Sequence, residues 1–292
     1  MNITAGKTDK IIDILLEEFG TASKTKVRKL ISTGCIRCNG KIVKRSETIV
    51  NEGDSIEYTK YKEDVNKVRP PYPILFEDDY LVAINKPAGA LMHGETGKNN
   101  LSVLKAMNQY IKESSRGKKH AIIIHRLDRE VAGIVIMAKT EEVLASMKDN
   151  WKNTEKLYFA LTEGSPTVDE GSITSWIAND FEQKVKSVPE GTPEAKLAIT
   201  HYRVLEKFDK NTLLEVRLET GRKNQIRLHF SEMGCPIVGD RRYGADATFV
   251  RQIRLFAFSL SFTHPITNEK VMIDLPMPHY FLKLKEADEK YK

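Results

Sequence analysis

Cysteine is scarce in this chain: three in 292 residues, an odd number too small for a disulfide framework. Free thiols fit a reducing compartment, so the protein is expected to be cytoplasmic. Long apolar runs are also missing. None approaches the roughly 20 residues that cross a bilayer, and residues 1–10 lack the apolar core of a signal peptide, so no membrane partner is expected. Cys35 and Cys38 have the spacing of half a zinc site, but Cys235 stands alone and no second pair follows, so no metal is expected. There is no internal repeat and no low-complexity segment. Acidic residues are absent from Ser23 to Ser46, where Lys24, Lys26, Arg28, Lys29, Arg37, Lys41, Lys44 and Arg45 occur.

At 40% hydrophobic and 29% charged residues the composition is that of an ordinary globular protein, and the length suits one large domain with a small one. The net charge is +6, and residues 1–70 hold 14 Lys+Arg against 10 Asp+Glu, which puts most of the surplus near the N-terminus. A positive field concentrated in one region suits a phosphate-bearing partner. The alternative is a solvated basic face with no partner.

Ile11, Ile12, Leu15, Leu16 and Phe19 recur at helical spacing and predict an amphipathic helix over 9–19, stopped by Gly20. Ser23 is a candidate N-cap for a second helix with Val27, Leu30 and Ile31 on its apolar face and Gly34 at its end. Lys24, Lys26, Arg28 and Lys29 fall mostly off that face. A strand over 36–38, the Asn39-Gly40 pair of a tight hairpin turn, a return strand from Lys41 and a strand over 55–59 complete a module within residues 1–60. Residues 61–73, charged and then containing Pro70, Pro71 and Pro73, read as a linker. Residues 74–292 read as a strand-rich domain. Its strands are expected over 81–85, 121–124, 134–138, 156–161, 196–206, 212–219, 255–262 and 271–275, and its helices over 101–112, 141–151 and 222–233.

The rest of the chain is arranged around His125-Arg126-Leu127-Asp128-Arg129-Glu130. Between two apolar runs, Asp128 sits in a strand-end loop with Arg126 and Arg129 on either side, a usual place for chemistry. Taken alone, the hexapeptide also fits a surface turn salt-bridged to its own arginines. A glycosidase pairs two carboxylates across the bond it breaks, and Glu130 is too near Asp128 to face it across a sugar. Gly94-Glu95-Thr96-Gly97-Lys98-Asn99 lacks the full glycine spacing and the Ser/Thr of a phosphate loop. His120 and His125, five apart on a strand pattern, point to opposite faces, against a shared metal.

Two parts of the chain resemble known families. Lys26-Val27-Arg28-Lys29-Leu30-Ile31-Ser32-Thr33-Gly34, Asn39-Gly40-Lys41 and Glu52-Gly53-Asp54, over residues 8–60, resemble the small RNA-binding domain named after ribosomal small-subunit protein four. That resemblance implies that the basic helix and hairpin, with Lys24, Lys26, Arg28, Lys29, Arg37 and Lys41, grip structured RNA through shape and phosphates rather than bases. Further on, Asn85-Lys86-Pro87-Ala88-Gly89, the Asp128 loop, Lys156-Leu157-Tyr158 and Thr220-Gly221-Arg222-Lys223-Asn224-Gln225-Ile226-Arg227-Leu228-His229 occur in order, followed by Gly239-Asp240 and Tyr243-Gly244. Together, from about Asp78 to Pro276, they resemble the RluA-type pseudouridine synthases. With the N-terminal module, the likeness is to members that modify large ribosomal RNA. The family usually has Thr-Ser where this chain has Val131-Ala132, and often His where Asn224 stands; neither departure touches Asp128, Tyr158 or Arg227.

The resemblance implies an α+β protein: a mixed α/β catalytic domain on a largely antiparallel sheet with flanking helices, beside a small N-terminal α/β RNA-binding module. The implied reaction breaks the bond from ribose to the uracil nitrogen, turns the base over and joins its carbon 5 to the same sugar carbon. This is an isomerisation, so no cofactor is expected. Asp128 is the implied catalytic carboxylate, either as nucleophile at the anomeric carbon or as base on a neighbouring ribose proton. Arg227 is the implied cation that keeps it charged. Tyr158 is implied to stack on uracil and help remove the proton from carbon 5. The base must leave its stack first. Arg126, always charged, is the candidate for filling the vacated space or holding a phosphate. Lys86, Arg129, Arg222 and Gln225 complete the expected substrate-binding set, with Lys86 either contacting RNA or only ordering the site. The expected partner is ribosomal RNA, bound by a monomer. The alternatives are the same enzyme acting on transfer RNA, or a non-catalytic RNA-binding ribosome-assembly factor, which has no need of Asp128, Tyr158 and Arg227 together.

Overall fold

In a computed structural model of the chain, the N-terminal elements form where apolar spacing and caps put them. The residues described are all but Met1, Thr21, 59–67, 95–100, 180–183, 247–249, Arg251 and 282–292. After β1 (Asn2–Thr4) and β2 (Asp9–Lys10), α1 (Ile11–Phe19) buries Ile11, Ile12 and Leu15, and α2 (Lys24–Ser32) buries Val27 and Ile31. The Ser23 hydroxyl caps α2 by accepting the Lys26 N–H at 3.3 Å. Asn39 and Gly40, at φ 49° and 74°, join β3 (Ile36–Cys38) to β4 (Lys41–Ile42). Two left-handed residues are what a two-residue hairpin turn requires. β5 (Ile49–Val50) pairs with β2, and β6 (Ser55–Tyr58) lies between β1 and β3. Ile36, Val50 and Ile56 join the two helix faces in one core, each such side chain contributing about 1.5–3 kcal/mol by burial. Lys24, Lys26, Arg28 and Lys29 are thereby left exposed on the other side of α2. Lys41 is exposed too, and half-buried Arg37 donates to the Gly40 carbonyl at 2.7 Å.

The chain divides into two compact units, Met1–Arg69 and Pro70–Lys292. Of the expected linker, residues 61–67 lie outside the described residues, as does 95–99 of the glycine-containing stretch considered for phosphate binding. The second unit opens with β7 (Ile74–Glu77), β8 (Leu81–Lys86), α3 (Val103–Ser114), β9 (Ile122–Ile123), β10 (Ala132–Ala138) and α4 (Glu141–Asn150). It continues through β11 (Glu155–Glu163), β12 (Glu170–Asn179), β13 (Val185–Val188), β14 (Lys196–Lys207), β15 (Asn211–Leu218), α5 (Gln225–Glu232), β16 (Leu255–Thr263) and β17 (Lys270–Asp274). An eleven-stranded sheet runs β13-β12-β14-β15-β11-β16-β10-β8-β7, with β17 added to β16 and β9 to β10. Its pairings are antiparallel except β10 with β16. The fold is therefore mixed α/β on a largely antiparallel sheet. No helix among the described residues is long and apolar enough to cross a membrane.

The parallel contact depends on Gly133, which pairs with Ala257 of β16 on one side and Lys86 of β8 on the other. Its φ is +126°, and an added Cβ would lie 2.2 Å from the Ala257 carbonyl oxygen. Only glycine fits. One sheet face buries Val82, Ile84, Val135 and Met137 with Met107 and Ile111 of α3 and Phe230 of α5. The opposite face packs Leu81, Ala83, Ile134 and Ile136 against Val143 and Met147 of α4.

Three sequence expectations are corrected. The apolar run 121–124 is not a buried strand: only Ile122 and Ile123 pair with β10, and both are half-buried. His120 and His125 thus lie outside that strand, and the alternation argument does not apply to them. The helix expected over 222–233 begins at Gln225, because Asn224 is left-handed at φ 53°. β12 and β13 were not expected; they form a long hairpin-like extension beside β14.

Candidate active site

The loop that carries Asp128 connects β9 to β10 and is fixed from beneath. The Val131 N–H donates to the Asp128 carbonyl at 3.2 Å, and Val131 itself is buried in the core. The Arg129 carbonyl accepts the Gly89 N–H at 2.7 Å, while Arg129 Nε donates to the Gly89 carbonyl at 3.2 Å. Lys86, at the end of β8, is 0% exposed. Its ammonium donates to the carbonyls of Pro87 (3.1 Å), Ala90 (3.0 Å) and Arg129 (3.3 Å). All three donors are used, so Lys86 ties two loops together, which favours the ordering role of its two expected ones. Burial pulls its pKa down to about 8, against the opposing charges of Asp128 and Glu130.

His125 braces the same loop. Its Nε2 accepts the Ile136 N–H at 3.1 Å, and its ring stacks on Trp151 with centroids 4.9 Å apart. Burial first, and then the Lys156 charge, take its pKa down to about 4, so at neutral pH it is an uncharged acceptor.

Arg227, 4% exposed, comes from α5 and meets three carboxylates. Asp240, 1% exposed, binds it through two parallel bonds, Nε to Oδ2 at 2.6 Å and Nη2 to Oδ1 at 2.9 Å. Nη1 then points at Asp128 Oδ2 at 3.2 Å and at Asn224 Oδ1 at 3.0 Å, with Glu130 Oε2 at 3.6 Å. The Tyr243 ring covers the guanidinium at 5.1 Å, and the Tyr243 hydroxyl accepts from Asn224 Nδ2 at 3.0 Å. Asn224 therefore bridges arginine and tyrosine, and its left-handed backbone suits asparagine. Gly239, φ +81°, brings Asp240 into place where a Cβ would lie 2.6 Å from the Gln252 carbonyl oxygen. Burial works against the Arg227 charge, but the hydrogen bonds and charges of Asp240 and Asp128 outweigh it and hold the guanidinium above its ordinary value.

Asp128 feels the opposite balance. Burial pushes its carboxyl above the ordinary 3.8, and the charge and hydrogen bond of Arg227 offset this only in part. A carboxylate kept short of water, with one cation already shared with Asp240, is more basic and more nucleophilic than a solvated one. Tyr158, buried on β11, has its phenol pushed far above its ordinary value by burial and by the Asp128 charge. Its hydroxyl stays protonated, so it is a donor beside an apolar ring.

Asp128, Tyr158 and Arg227 line a single open cleft of about 680 Å³, as do Arg126, Arg129, Arg222 and Gln225. Exposed Arg126 makes no ion pair among the described residues, so the turn is not a hexapeptide salt-bridged to its own arginines. Arg222, exposed, donates from Nε to the Leu197 carbonyl at 2.9 Å. Gln225, although it lines the cleft, is occupied in the same way as Lys86. It is 2% exposed, accepts from the Thr220 hydroxyl and the Arg222 N–H, and donates to the Ile199 carbonyl and the Thr200 hydroxyl. A saturated amide braces the loop before α5 and has nothing left for a ligand. The six basic residues expected to bind RNA belong to the other unit. A further hollow of about 340 Å³ adjoins at Asp128, Arg129, Asn224 and Arg227. Sequence reading passed over the bracing by His125 and Trp151 and the cradle of Asn224, Asp240 and Tyr243. The signal for the cradle was the Gly239-Asp240 and Tyr243-Gly244 pair just past the Arg227 helix.

The family model described as RNA pseudouridylate synthase matches residues 80–232, and that described as S4 domain matches residues 12–56. The chain is 32% identical over 284 residues to an uncharacterised RNA pseudouridine synthase of Synechocystis, covering 92% of this chain and 86% of that one. It is 31% identical over 296 residues to the ribosomal large subunit pseudouridine synthase D of Vibrio parahaemolyticus, covering 94% and 89%. Among solved structures, human RNA pseudouridylate synthase domain containing 4 superposes at a TM-score of 0.59 with 24% identity, over 72% of this chain and 90% of that one, a likeness of fold.

Proposed function

We propose, on the premise that this chain belongs to the RNA pseudouridylate synthase family, that it isomerises uridine in large-subunit ribosomal RNA with Asp128 as the reacting carboxylate. That it is an RNA pseudouridine synthase carrying an S4 domain follows from the family itself. The choice of large-subunit ribosomal RNA is supported by relatives named for that substrate at 29–31% identity over nearly the whole chain. The observation that carries the role of Asp128 is its position in the cleft, 3.2 Å from a buried Arg227 that Asp240 holds in place.

The chemistry follows from that geometry. A uridine turned out of its stack enters the cleft with its sugar beside Asp128 and its base against Tyr158. Ionised Asp128 either attacks the anomeric carbon or takes the adjacent ribose proton; both roles need the same charge and placement. The bond from sugar to N1 breaks with its electrons passing to the uracil, and Arg227 holds the carboxylate's orientation throughout. The freed base turns and carbon 5 bonds to the same sugar carbon, displacing the Asp128 carboxylate where it had attacked, or with the ribose proton given back by Asp128 where it had been removed; the proton on carbon 5 then leaves as N1 gains one. Atoms balance without a co-reactant. Arg126, Arg129 and Arg222 line the rim, where their charges meet the strand's phosphates.

The test maps pseudouridine by carbodiimide and primer extension across total RNA from cells with the gene intact, deleted, or carrying Asp128→Ala. The expected result is loss of the modification at the same uridines of large-subunit ribosomal RNA in the deletion and the Asp128→Ala strain. Loss confined to transfer RNA would overturn the substrate, and retention in the Asp128→Ala strain would overturn the role of Asp128.

A further inference from the structure

Around the stack of His125 and Trp151 the charges that line the cleft are arranged differently. Lys156 lies on β11 two residues before Tyr158, about 7 Å along the strand, and both side chains line the same cleft. Lys156 is 6% exposed, yet its ammonium makes no hydrogen bond or ion pair among the described residues. The ammonium lies over the Trp151 ring, 5.6 Å away, and that ring also stacks on the uncharged His125. Burial alone pulls the Lys156 pKa down, with no carboxylate to offset it. Two further cations line the cleft, Arg126 next to His125 on the Asp128 loop and Lys148 in the last turn of α4, just before Trp151. Both are exposed and neither has an ion pair among the described residues.

Three cations that line one cleft and have no counter-ion among the described residues make a site that lacks its anion. A buried ammonium is unfavourable unless a negative group joins it. We propose that Lys156, with Arg126 and Lys148, forms a subsite for a phosphodiester of the RNA strand next to the uridine held at Asp128. The inference rests on the cleft being where RNA enters, and it adds which residue takes the backbone and where. The free protein carries the strain of an unpaired charge, and the strand relieves it on binding. Lys156 then contributes a charge-assisted contact that only a backbone phosphate satisfies.

The test compares the full-length protein with Lys156→Met and Lys156→Arg. Binding of a short oligouridylate is measured over a series of salt concentrations, and thermal unfolding is measured without RNA. For Lys156→Met the slope of log Kd against log salt is expected to fall by about 0.7, the value of one phosphate contact on a single strand, while Lys156→Arg keeps the wild-type slope. Without RNA, Lys156→Met is expected to unfold about 2–4 °C higher, since removing an unpaired buried charge stabilises the free protein. On large-subunit ribosomal RNA from the deletion strain, KM is expected to rise about ten- to a hundred-fold with kcat little changed. Parallel salt slopes for wild type and Lys156→Met would overturn the subsite, and a lowered unfolding temperature alongside them would make Lys156 a prop for Trp151. Wild type that forms no pseudouridine in that RNA, with oligouridylate slopes that still separate, would overturn the ribosomal substrate and keep the subsite.

Discussion

Two buried cations that line one cleft are treated in opposite ways. Arg227 spends its donors on Asp240, Asp128 and Asn224 and lies under the Tyr243 ring, whereas the ammonium of Lys156, equally shielded, has no hydrogen bond or ion pair among the described residues and lies over the Trp151 ring. A fully paired guanidinium is fixed before substrate arrives, which is how a group aims a reacting carboxylate without reorganising during the reaction. An unpaired ammonium gains its partner only on binding, so it suits recognition. Charge alone does not separate the two roles. What separates them is how many of the donors are already taken, and Lys86, with all three in use, falls on the structural side of the line.

The comparison breaks most visibly at Asp240. Replacing it with alanine leaves Arg227 buried and half-paired, and unfolding by denaturant is expected to show a loss of about 3–5 kcal/mol, as for other buried pairs deprived of one partner. The pseudouridine-forming rate should fall with it, since Asp128 loses its oriented neighbour. Asp240→Asn keeps the shape and part of the hydrogen bonding and should lose less on both measures. If Asp240→Ala proved as stable and as active as wild type, the rigid half of the comparison would be gone.

A smaller effect sharpens the picture at the base of the Asp128 loop. Gly133→Ala puts a methyl against the Ala257 backbone at a positive φ. The expected cost is at least about 1–3 kcal/mol, read as a lower midpoint in denaturant. It should be accompanied by a loss of rate out of proportion to the stability change, because β10 fixes the loop that carries Asp128. Rate and stability falling together without that excess would mean the loop is held by Lys86 and His125 alone.

Where signals were local, the sequence was readable. Asn39-Gly40 needs two left-handed residues and has them, Ser23 caps the helix it precedes, and the alternation of Leu214, Val216 and Leu218 marks β15. The strand β12 was missed because much of Glu170–Asn179 is open to solvent, so no apolar alternation marks it. The run 121–124 was read as a full strand because four apolar residues in a row look buried whether or not they pair, and only two do. Motif order located Asp128, Tyr158 and Arg227, which the fold brings to one cleft. It did not distinguish Lys86 and Gln225, which are saturated, from Arg126, which has no ion pair among the described residues. That distinction depends on contacts such as Lys86 with Arg129, 43 positions apart. Asp240 was visible as a motif residue, but its pairing with Arg227 required the loop at Gly239 to fold back on α5.

The central claim is that an ionised, partly desolvated Asp128 performs the reaction, and Asp128→Asn tests it with shape preserved. Single-turnover pseudouridine formation should be followed on large-subunit ribosomal RNA from the deletion strain, beside the pH dependence of stability. Because the folded pKa of Asp128 is raised, its contribution to stability is fully present below 3.8 and is lost as pH rises through the folded value. Asp128→Asn should remove that decline and leave a folded protein whose rate is lower by at least about 10²–10⁴-fold. An Asp128→Asn protein that forms pseudouridine at the wild-type rate would contradict the account.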